Sequence, residues 1–133
     1  ADRSGLIRSL RKKGYSLVLA TNPVFPAAAV ETRLGWVGLT GADFDFVTTY
    51  ENCCRSKPNP DYYRDILAHT GRRGEQCLMA GNNPVDDMSA AEAGLSVFLV
   101  TDYLENPGEV PVDRFPHGSF QELAAALDRL PPL

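Results

Sequence analysis

Four short apolar runs constrain this chain more than anything else in it: Tyr15–Ala20, Phe44–Thr49, Cys77–Ala80 and Leu95–Val100. The first and last are continuous rather than alternating, as expected of parallel strands buried on both faces. Helical patterns lie between and around the runs. Residues 3–13 carry an apolar face of Leu6, Ile7 and Leu10 and stop at Gly14. Pro26 opens a second helix, with Ala27, Val30, Leu34 and Val37 at helical spacing and Trp36 expected to pack. Asn59 caps a third and Pro60 begins it; Tyr63, Ile66, Leu67 and Thr70 share its face, and Gly71 ends it. Ser119-Phe120-Gln121-Glu122 is a capping box for the last helix, whose face is Leu123, Leu127 and Leu130. The three prolines between Tyr103 and Gly118 mark a surface loop. This alternation predicts one α/β domain over residues 1–133, a parallel sheet with helices on both faces, wound right-handed.

In open α/β sheets ligands bind at the carboxyl ends of the strands. The third run enters Gly81-Asn82-Asn83-Pro84-Val85-Asp86-Asp87, and the segment closes at Gly94. Asn83 suits a helix cap, Pro84 the first helical position and Gly94 the residue past the last turn. That reading puts Asn82, Asn83, Asp86 and Asp87 at the ligand edge. Thr21 and Asn22 follow the first strand, and Lys57 stands just ahead of the third helix. Each has a plainer reading: turn chemistry for Asn22-Pro23, a solvated lysine, and solvated acids beside a cap. As a set they supply neutral donors, a held cation and a hard-metal carboxylate, which suits a phosphoryl group and Mg2+. Asp43 and Asp45 look similar but precede their apolar run, so they fall at the opposite end of the sheet, as a solvated strand entry.

Composition narrows the partners. Net charge is −4 with no basic face, which argues against nucleic acid and anionic membrane. No apolar run approaches a membrane span. Cys53, Cys54 and Cys77 make no disulfide framework, so a reducing cytoplasm is the simplest setting. Two histidines and no Cys-x-x-Cys pair disfavour zinc and leave a hard, oxygen-liganded metal.

Three segments then carry a resemblance. Leu19-Ala20-Thr21-Asn22, Lys57-Pro58-Asn59-Pro60, and Gly81-Asn82-Asn83 with Asp87-Met88-Ser89-Ala90-Ala91 resemble, in order, the second, third and fourth motifs of the haloacid dehalogenase superfamily of hydrolases. The likeness covers about Tyr15 to Asp102. It implies a Rossmann-like core and phosphatase-type hydrolysis of a small phosphorylated metabolite. Thr21 would hydrogen-bond the phosphoryl group, Asn22 would shape its pocket, and Lys57 would neutralise charge on nucleophile and phosphoryl. Asn83 and Asp87 would hold magnesium, or Asn82 and Asp86 in an alternative frame. Two departures follow. The family's nucleophilic Asp-x-Asp, on the central strand ahead of the threonine strand, is not in this sequence, nor is a cap. The chain, which starts at Ala1 rather than Met, therefore reads as the C-terminal portion of a longer protein, its sheet completed by a missing segment or another chain. In either frame one metal aspartate is an asparagine, which implies weak magnesium binding. The rivals are a non-catalytic relative that binds a phosphorylated ligand or a partner protein, and a receiver-type signalling domain. The order threonine, lysine, acids speaks against the receiver.

Overall fold

The computed structural model describes residues 3–21, 26–49, 51–53 and 55–132. Asn22 lies outside the described residues. The chain divides into two compact units, Ala1–Cys54 with Ala124–Leu133, and Arg55–Leu123.

In the first unit, helix α1 (Arg3–Lys12) buries Leu6 and Leu10. Strand β1 (Val18–Leu19) pairs in parallel with β2 (Phe46–Val47), and helix α2 (Ala27–Gly35) lies between them in sequence. Val30, Leu34 and Leu39 form a core against which Ile7, Leu19, Phe44 and Val47 pack. Both strands are shorter than the apolar runs that announce them. The basic end of α1 makes specific bonds: Lys13 Nζ donates to the carbonyls of Asp128 (2.9 Å) and Leu130 (3.1 Å).

The expectation for Trp36 and Val37 is corrected. Helix α2 ends at Gly35, and the chain reverses through Gly38 (φ +77°). The Leu34 carbonyl then accepts from both Val37 N–H (3.1 Å) and Leu39 N–H (3.0 Å). That six-residue closure is a helix-ending motif. It puts Leu39 into the core and leaves Trp36 76% and Val37 52% exposed.

In the second unit, helix α3 (Pro60–Thr70) starts as the sequence indicates: Asn59 Oδ1 accepts from Asp61 N–H, and Pro60 is the first helical residue. Gly71, at φ +70°, ends it. Strands β3 (Leu78–Gly81), β4 (Ser96–Val100) and β5 (His117–Gly118) form a parallel sheet in the order β3-β4-β5. Leu99, in the middle strand, is fully buried. β5 falls inside the stretch read as loop. Its His-Gly pair has no apolar pattern, and it is fixed by Leu99 N–H to Pro116 O (2.8 Å) and Thr101 N–H to Gly118 O (2.9 Å). A 3-10 helix, Met88–Ala93, packs on α3 and β4. Helix α4 (Phe120–Asp128), whose residues from Ala124 on belong to the first unit, follows the expected capping box, with Ser119 N–H on Glu122 Oε1 and Glu122 N–H on Ser119 Oγ, both 3.1 Å.

The α/β class with parallel strands is thus as expected. Among the described residues no helix is long and apolar enough to cross a membrane.

Candidate active site at the Gly81–Gly94 turn

Strand β3 ends at Gly81, and the chain then turns back over its own end. Asn83 uses its side chain as a cap: Oδ1 accepts from Val85 N–H and Asp86 N–H, both at 2.9 Å. Asp87 N–H reaches Asn83 O at 3.0 Å. The turn delivers the Asp87 carboxylate against Gly81, where a Cβ would overlap it. A glycine there is a condition of the site, by close approach rather than by φ.

Asp87 meets Lys57, thirty residues upstream at the entrance to α3. Lys57 Nζ donates to Asp87 Oδ1 at 2.5 Å, with the two side chains 11% and 7% exposed. Asp87 Oδ2 accepts from Asn83 N–H at 3.1 Å. Both carboxylate oxygens are therefore held, and the pair is short, charge-assisted and largely dry. Of the two adjacent aspartates, Asp87 faces Lys57. Among the described residues no hydrogen bond or ion pair engages the half-buried Asp86 carboxylate.

A residue that the sequence reading used only for packing stands behind this pair. Tyr63 is 1% exposed, and its hydroxyl donates to Asp86 O at 2.7 Å, with Asp87 O at 3.4 Å. Burial, and then the nearby Asp87 charge, push its phenol far above the ordinary tyrosine range, so it remains a donor. The tyrosine one turn beyond a lysine and two prolines was the available signal.

In the other unit, Thr21 is fixed by Thr48, which is fully buried. Thr21 N–H donates to Thr48 Oγ1 (2.8 Å), Thr48 Oγ1 donates to Thr21 O (2.6 Å), and Thr21 Oγ1 donates to Thr48 O (3.1 Å). The ladder of β1 and β2 is prolonged through a side chain, and Thr21 is locked at the carboxyl end of its strand.

The magnesium expectation can be tested on the donor set. Asp87 is shared between an ammonium and a backbone N–H, and Asn83 Oδ1 already accepts two bonds. Asn82, of the alternative frame, turns its amide nitrogen to Tyr103 O at 3.0 Å. Among the described residues no group of three or more His, Cys, Asp or Glu side chains could hold a metal ion. These residues alone do not fit a divalent cation, which wants several oxygen ligands.

With this geometry in view, similarity to known proteins gives it a context. A sequence model of haloacid dehalogenase-like hydrolases matches residues 3–94. A phosphoglycolate phosphatase of Rhodospirillum rubrum is 32% identical over 97 residues, 72% of this chain and 39% of that protein. Pyrophosphatase PpaX of Bacillus velezensis is 31% identical over 85 residues, 64% of this chain and 38% of that protein. The chain thus spans well under half the length of these curated relatives. The crystal structure of a HAD phosphatase from Thermococcus onnurineus superimposes with a TM-score of 0.73 at 21% identity, covering 95% of this chain and 56% of that one. At that identity the likeness is one of fold.

Proposed function

The chain belongs to the haloacid dehalogenase-like hydrolases, and from that premise we propose that it carries the lysine, acid and threonine part of a phosphatase-type active site. The reaction is hydrolysis of a phosphate ester or anhydride through an aspartyl-phosphate, with the nucleophilic aspartate supplied from outside the described residues. The observation that carries the reading is the dry Lys57–Asp87 pair at the carboxyl end of β3. There the Lys57 ammonium can neutralise charge that develops on the transferring phosphoryl group, while Asp87 keeps the ammonium aimed. Thr21, held by Thr48 at the carboxyl end of β1, would turn its hydroxyl from the Thr48 carbonyl to the phosphoryl group, and Asn22, its neighbour in sequence, would serve the same group. Such electrostatic positioning is most of what phosphoryl transfer asks of a protein.

The substrate is a small phosphorylated metabolite or pyrophosphate, as the names of the relatives suggest for those proteins. The setting is the cytoplasm. A further segment or chain completes the sheet; β3 is at the edge of its three strands, with Leu78 47% exposed. Asn83 and Asp87 would hold magnesium only together with oxygen ligands from elsewhere, and the ion would then neutralise phosphoryl charge. The chain by itself is expected to take Mg2+ more weakly than millimolar, which isothermal titration calorimetry checks; tight, stoichiometric binding would contradict the donor set. The activity test is release of phosphate from pyrophosphate and phosphoglycolate by the native protein. Lys57→Met is expected to lower kcat by about 100-fold or more. An unchanged kcat would remove Lys57 from the chemistry. A second reading, a relative that binds a phosphorylated ligand or a partner protein without turnover, is favoured by the asparagine that stands for one metal aspartate in either frame, Asn83 or Asn82, each engaged with backbone.

A further inference from the structure

Residues 84–93 begin as a turn with two four-residue hydrogen bonds and then tighten. Asp87 N–H bonds Asn83 O (3.0 Å), and Ser89 N–H bonds Val85 O (3.2 Å). An α-helix would next join Ala90 N–H to Asp86 O. Instead Ala90 N–H goes to Asp87 O at 3.3 Å, and the segment Met88–Ala93 winds as 3-10. The reason lies at Asp86 O. That carbonyl is taken by Tyr63 OH (2.7 Å) and Ser89 Oγ (2.9 Å), which fill its two lone pairs. The change of winding occurs at the residue that carries the buried carboxylate. Tyr63 lies on α3, the helix that begins at Pro60 shortly after Lys57.

We infer that Tyr63 is the positioning residue of the Lys57–Asp87 pair: by holding the Asp86 carbonyl it favours the tighter winding that aims the Asp87 carboxylate at Lys57. The inference rests on the proposed role of that pair, and its test does not depend on activity. A dry, paired ammonium exchanges its protons slowly and gives its own nitrogen–proton correlation in NMR; Lys57→Gln assigns that signal by removing it. Tyr63→Phe is expected to keep the fold by circular dichroism yet to accelerate exchange at Lys57 about tenfold, the equivalent of one net hydrogen bond. Tyr62→Phe is the matched control, an equally buried tyrosine on the same helix, and should leave the Lys57 rate unchanged. A folded Tyr63→Phe chain with the wild-type exchange rate overturns the inference, as does equal acceleration in Tyr62→Phe. Where Tyr63→Phe does not fold, the wild-type chain decides. The Tyr63 hydroxyl and the Lys57 ammonium should then exchange through one opening, with the same response to urea. A hydroxyl that exchanges quickly while the ammonium stays protected overturns the inference. A native protein without phosphatase activity would refute the function and leave this result standing.

Discussion

Two groups of aspartates flank strands in this chain, and their surroundings could hardly differ more. Asp43 and Asp45 precede β2. Asp43 accepts from Thr40 N–H at 2.9 Å in a capping box and lies 3.9 Å from Arg8 Nε; Asp45 accepts from Leu17 N–H at 2.6 Å and lies 3.6 Å from Arg11. These acids fasten backbone, and their arginine side chains are 59% and 36% exposed. Asp87 follows β3, is 5% exposed, and meets its lysine at 2.5 Å. The residue types are alike. Burial turns a loosely held counter-ion into one that cannot be removed without stranding its partner.

The sharpest way to break the comparison is to remove one partner from each group, the buried carboxylate first. Asp87→Ala leaves the Lys57 ammonium in a dry site and is expected to destabilise the chain by about 3 kcal/mol or more in chemical denaturation. Asp87→Ala with Lys57→Met should recover part of that loss. A change below about 1 kcal/mol would put Asp87 in the same class as a surface pair. Next in size is Gly81→Ala. Its Cβ would overlap the Asp87 carboxylate, and such overpacking costs about 1–3 kcal/mol. The loss should shrink when Asp87→Ala is already present, because the obstacle has gone. Smallest is Arg8→Ala. It removes a long, exposed ion pair and a bond to Gly38 O, and is expected to cost at most about 1 kcal/mol, screened further by salt.

Much of this contrast is legible in the sequence, because it depends on order along the chain. Acids before an apolar run fall at one end of a parallel strand, and acids after it fall at the other. The capping residues are equally legible: Asn59, Ser119, Gly71 and Gly94 act through local backbone chemistry and occur where they were read. What resists reading is set by neighbours distant in sequence. Asp86 and Asp87 are indistinguishable until Tyr63 takes the Asp86 carbonyl and tightens the winding. Thr48 looks like strand until its hydroxyl is found bridging Thr21. Strand β5 has no apolar signature, being two residues held by their neighbour's backbone. Trp36 and Val37 continue a helical pattern that the turn at Gly38 has already ended. Asn22 is the candidate residue on which the described structure is silent.

Among the described residues strand β3 is the edge of its sheet, and Leu78 and Ala80 on it are exposed. An unpaired strand with apolar side chains is a template for others of its kind. Concentration therefore becomes a variable of this molecule's state. Where no further segment or chain covers that edge, crowding is expected to bring edge to edge, with turbidity as the first symptom rather than unfolding.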